Sequence, residues 1–160
     1  MSASPSVTRS LFDAVRQIAD TAGGLRVPLA EVRRAAAGLS RVPRLLLFDS
    51  VLSRLGYRYA TAVGFVWGFV FSVGRIERRD GLWIFRRMPR RTFGRGGACV
   101  GGCYLTDRNL SDDVLEHEAV HRRQWQRYGM LFPVLYLAAG RDPLRNRFEI
   151  EAGLEKGGYL

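Results

Sequence analysis

The two histidines of the chain lie four residues apart, in His117-Glu118-Ala119-Val120-His121. On an α-helix, residues i and i+4 project from successive turns on one face, so both imidazoles can reach a single zinc ion. Glu118 sits beside them on the helix surface, where it can take a proton from a zinc-held water. The plainer alternative is a pair of core histidines satisfied by ordinary hydrogen bonds. The full five-residue pattern on a predicted helix favours the metal, because buried neutral rings need partners and an ion supplies one to each.

Two ligands leave such a site incomplete, since catalytic zinc usually has three protein ligands and a water. With no other histidine in the chain, the third must be a carboxylate or a thiolate. The three-histidine extension of the motif is excluded, because its glycine and last histidine would fall at Gln124 and Arg127. The downstream acids are Asp142, Glu149, Glu151 and Glu155. Asp142 reads as a helix cap before Pro143. Glu149 and Glu151 stand about 200° apart around a helix, so only one can face the metal. Glu149 shares its face with Ala152 and Gly153, small residues that permit close approach to the motif helix. It is the first choice, and Glu151 the second. For an oxyanion donor, Tyr128, Tyr136, Tyr159 and several arginines all qualify.

The elements that must position these groups can be read from periodicity. Ser111 caps a helix whose first turn holds Asp112 and Asp113, and which runs to Tyr128 before Gly129. On it, Val114, His117, His121, Trp125 and Tyr128 form one apolar stripe. An apolar helix is expected over Leu131–Ala139, and a final one from Asp142-Pro143 to about Gly157-Gly158. The middle of the chain predicts strands over Phe69–Arg78 and Leu82–Arg87, joined at Arg79-Asp80-Gly81, where Asp-Gly signals a hairpin. A third strand is expected over Ala98–Leu105, interrupted by Gly101-Gly102, after a basic loop from Met88 to Gly97. Three helices are expected in the first third. One carries Leu11, Phe12, Val15, Ile18 and Ala19, one runs from Pro28 past Ala35, and one starts at Arg44 with Gly56 as its cap. The whole is a single α+β domain over residues 1–160, with an N-terminal helical part (1–58) and a part bearing the motif (69–160).

The chain has 160 residues, 47% of them apolar, which suits one compact core rather than a disordered or fibrous chain. Its net charge of +10 is nearly all arginine, Lys156 being the one lysine. Such a surface attracts anions, and an anionic membrane or an acidic protein fits it. The arginines around Arg86–Arg95, interleaved with Trp83, Phe85 and Phe93, match no recognised nucleic-acid motif and read as a solvated loop. No secretory signal precedes Arg16, so a cytoplasmic location is the default. The uncharged stretch Tyr59–Gly74 falls short of the roughly 20 residues that span a bilayer, and reads as a buried helix end entering a strand. Surface attachment through it and the arginines is the alternative. Cys99 and Cys103 cannot form a disulfide framework or an iron–sulfur centre. In a regular strand they would lie ~13 Å apart, so they read as small buried residues, with thiol blockage of the zinc a lesser option.

A strand, then a helix bearing His117-Glu118-x-x-His121, then Glu149-x-Glu151-Ala152, resembles the gluzincin class of zinc metallopeptidases. The likeness is greatest to minimal bacterial zincin-like domains and the HtpX-like peptidases, and covers roughly Phe69 to Leu160. The resemblance implies a zincin-like fold, peptide or protein substrates, Zn2+ held by His117, His121 and Glu149, and Glu118 as general base. It also implies that Ala98–Leu105 receives extended substrate as an added strand. Many members place an aspartate one turn after the third ligand to orient the first histidine. Gly153 stands there in this chain, so another acceptor must hold the His117 ring.

Overall fold

A computed structural model describes residues 48–93 and 96–160. The expected helices before residue 48 and Arg95 of the basic loop lie outside the described residues. The described part is α+β: a long helix, a small sheet, then helices.

Helix α1 spans Val51–Phe71, opened by a capping box between Ser50 and Ser53. It is longer than periodicity predicts and passes straight through Gly56, and it also runs across the boundary placed at residues 58–69. Gly56 is no cap: a Cβ there would lie 2.6 Å from the Met130 backbone nitrogen. The residue is small because another segment crosses against it. Phe69–Phe71, expected in a strand, complete this helix; Leu52, Leu55, Tyr59, Val66, Phe69 and Val70 face outward, while Tyr57, Phe65, Trp67 and Phe71 pack against the core.

Four strands follow: β1 (Glu77–Arg79), β2 (Leu82–Phe85), β3 (Ala98–Val100) and β4 (Cys103–Leu105). Asp80 and Gly81 both have positive φ, 52° and 78°, the geometry of the two-residue turn that Asp-Gly predicts. The segment Ala98–Leu105 is not one strand but a second hairpin, turned at Gly101-Gly102. Gly101 has φ 60°, and a Cβ on it would lie 2.4 Å from the Thr61 nitrogen. The sheet order is β1-β2-β4-β3, with both hairpins antiparallel and the central β2–β4 pair parallel. Small residues of α1 lie on this sheet, and Gly64 and Gly68 approach Val100 and the Phe85 ring where no Cβ would fit. The basic loop is anchored, with Met88, Thr92 and Phe93 buried and the Trp67 indole donating to the Thr92 carbonyl.

Helix α2 spans Asp112–Tyr128, capped by Ser111 and closed at Gly129, as its sequence signals require. A 3-10 turn (Gly129–Leu131) leads into α3 (Phe132–Ala138). The last helix, α4, is only Arg147–Ala152. Asp142 does not cap it; its carboxylate accepts from the Leu144 nitrogen in a local turn. The cap is Asn146, whose side chain accepts from Phe148 and donates to the Tyr136 and Gly140 carbonyls. No described helix is long and apolar enough to cross a membrane.

Candidate metal centre

The buried arc of α2 is wide, taking in Val114, Leu115, His117, Glu118, Ala119, His121, Gln124 and Trp125. His117 and Glu118 are 0% and 1% exposed, so the motif lies inside the molecule. Helix α4 packs across it and brings Glu149 to the two rings, as the helical geometry predicts. The His117 Nε2 lies 3.2 Å from Glu149 Oε2, the His121 Nε2 lies 3.4 Å from Oε1, and the two Nε2 atoms are 3.0 Å apart. These three side chains form the metal-competent cluster among the described residues. Ligands at zinc distances on a tetrahedron are separated by about 3.3–3.5 Å, and the ligand atoms of the three side chains lie within 4.8 Å of one another.

Hydrogen bonds behind the rings set which nitrogens are donors. His117 Nδ1 lies 3.0 Å from the Gly153 carbonyl, which can only accept. His121 Nδ1 lies 2.7 Å from Gln124 Oε1. The Gln124 amide cannot be flipped without loss, because its nitrogen donates to the Phe148 carbonyl and to Glu151. Both Nδ1 atoms therefore carry the hydrogen, and both Nε2 lone pairs face each other and a carboxylate. Three electron-rich groups meeting in a buried space call for a cation between them. Glu149 Oε2 and Glu118 Oε2 are both buried without a hydrogen-bond donor, which fits the same requirement.

With no ion present, a proton on His121 answers the same need. Burial works against a charged His121, but the Glu149 carboxylate, then Glu118 and Gln124, outweigh it and raise its pKa to about 9. In that protonated, ion-free state, the charge of His121 and ring N–H groups turned to Glu149 overcome its burial, and the carboxyl is held well below its ordinary range. Burial pushes Glu118 up, offset in part by His121 and His117, with Glu149 adding to the rise. A carboxyl raised in this way suits a group that accepts and returns a proton. Tyr136, its pKa raised by burial and then by Glu149, stays protonated and donates to Glu149 Oε1.

Glu151 is exposed and bound to Gln124, so it stands behind the site rather than in it. Asp142 and Glu155 are exposed. Neither cysteine joins the cluster. The Cys99 thiol, raised by burial and by Glu118, lies against the Gly101 and Glu118 carbonyls. Cys103 is pushed up by burial to about 12 and rests on the Thr61 carbonyl. Both are the small buried residues expected of them. The strand β3 does lie at a sheet edge, but all three of its residues are buried and the Cys99 carbonyl already accepts from the Trp125 indole. That leaves its middle carbonyl occupied and unavailable to an added strand.

The sequence points to neither Gln124, Tyr136 nor the Gly153 carbonyl as partners of the ligands. Gly153 is the one with a local signal: at φ 94° it ends α4, and its own carbonyl is the acceptor that holds the His117 ring. Gly157 is needed as well, since a Cβ there would lie 2.7 Å from His117 Cε1. Compared with protein-family models, curated proteins and solved structures, the chain matches none.

Proposed function

We propose that the protein is a zinc-dependent metallopeptidase of gluzincin type on a zincin-like fold, cleaving peptide or protein substrates. The observation that carries this reading is the meeting of two Nε2 lone pairs and the Glu149 carboxylate at 3.0–3.4 Å, with Glu118 next to them in the chain. When bound, zinc supplies a Lewis acid and makes water nucleophilic near neutral pH. The chain's own groups do the rest. Glu118 takes the proton of the attacking water and returns it to the leaving amine. Gln124 and the Gly153 carbonyl hold the rings in register, and Tyr136 holds Glu149. Tyr136 being engaged there, Tyr159, whose ring centroid lies 6.0 Å from that of His117, is the tyrosine assigned to the developing oxyanion. Two buried protonated thiols accord with a reducing, cytoplasmic setting.

A second reading, metal held for structure alone, draws on the burial of Glu118. The cavity of about 620 Å³ between α2 and α4 touches Glu151 and Gly153 but none of the ligands. Metal analysis and a Glu118→Gln variant separate the readings. The peptidase reading expects one zinc per chain in both proteins, with cleavage of an unfolded protein such as casein lost in the variant. Equal cleavage by the variant overturns the mechanism, and protein purified without metal overturns the site.

A further inference from the structure

Helix α1 is inverted relative to an ordinary core helix. It buries Ser53, Ala60, Gly64 and Gly68, packs Tyr57, Phe65, Trp67 and Phe71 partly on the core, and turns its other large side chains outward. Leu52, Leu55, Tyr59, Val66, Phe69 and Val70 are each 54–66% exposed. At 100° per residue they fall within one arc of about 100°, along a helix about 30 Å long. A contiguous apolar face of this extent on a folded protein marks an interaction surface.

The charges beside it say what it meets. No acidic residue lies between Asp49 and Glu77. Exposed Arg54 and Arg58 line one flank of the arc, and exposed Arg75 follows its end. We infer that α1 docks on an anionic membrane surface, lying in the headgroup plane with its apolar arc in the acyl boundary and its arginines among the phosphates. A guanidinium on the rim pairs with phosphate while its methylene stem stays on the apolar face, an arrangement that an uncharged protein groove does not reward. The net charge of +10 adds attraction to the anionic leaflet. The small residues beneath α1 let the helix lie flat on the body, so the outward arc presents along its full length. This inference does not depend on the zinc reading.

Flotation of the full chain with lipid vesicles tests it. The protein is expected to float with vesicles of phosphatidylcholine and phosphatidylglycerol, about tenfold less with phosphatidylcholine alone, and progressively less as salt rises. The outward-facing variant Leu55→Gln/Val66→Gln/Phe69→Gln should lose at least about tenfold in bound fraction with its circular dichroism unchanged. Arg54→Gln/Arg58→Gln, at two exposed positions, should lose about tenfold on the anionic vesicles only. Failure of the wild type to float with either lipid overturns the inference, as does binding by the arginine variant equal to wild type. A triple variant that turns from dimer to monomer in light scattering, without any vesicle binding by wild type, assigns the face to a second copy. Loss of folded structure in the triple variant, with the arginine variant unaffected on vesicles, assigns it to residues 1–47 of the same chain.

Discussion

Gln124 does two jobs with one amide: its oxygen fixes the His121 ring, and its nitrogen ties α2 to the Phe148 carbonyl and Glu151 of α4. Removing such an outer partner typically weakens metal binding about 10–100-fold. Gln124→Leu should therefore lower zinc affinity by about that factor with the fold retained, measured by competition with a chromogenic chelator. The two glutamates are expected to part company in the same assay. Glu149→Gln places a neutral amide between two lone pairs and should lower affinity at least about tenfold, whereas Glu151→Gln should keep one zinc per chain. At this scale the sequence is informative where a single helix does the positioning. The histidine pair is legible from spacing alone, and Glu149 from the small residues on its face. The partners of the rings are not, because Gln124, Tyr136 and the Gly153 carbonyl become neighbours of the ligands only through the packing of α2 against α3 and α4.

Helices with punctuated ends are legible as elements. The Ser111 cap and Gly129 bound α2 in the sequence as they do in the fold, and Asp80-Gly81 marks its hairpin for the same local reason. Helix α1 misleads because amphipathic patterns are read with large residues inside, and here the inside is Gly64 and Gly68. Those glycines are set by distance: a Cβ at position 68 would lie 2.4 Å from the Phe85 ring. Gly68→Val should lift the helix off the sheet and cost about 1–3 kcal/mol, the usual penalty for overpacking, seen as a lowered urea midpoint. The start of α4 is misread for a related reason. Asp142-Pro143 carries the stronger local signal, but Asn146 wins because its amide also satisfies two carbonyls of the preceding segment.

Across the whole molecule, the candidate centre joins α2 to α4 across a separation of 32 positions in the chain, from His117 to Glu149. An ion that binds the folded state alone stabilises it by about 2.7 kcal/mol at a hundredfold excess over its Kd. For a chain of this size that corresponds to roughly 5–10 °C. Chelation should lower the melting temperature by that amount and zinc should restore it, as scanning calorimetry would record. The site's location also bears on how stability is distributed. Both thiols of this chain are free, so a bound cation is the cross-link that closes this loop, much as a disulfide closes one in a secreted domain. Its grip falls on a short helix of six residues, Arg147–Ala152, that is too brief to persist by itself. Withdrawal of the ion would then be felt unevenly. Amide protons of α4 should exchange with deuterium far sooner, while those of β2 and β4, wedged at the middle of the sheet, keep their original rates.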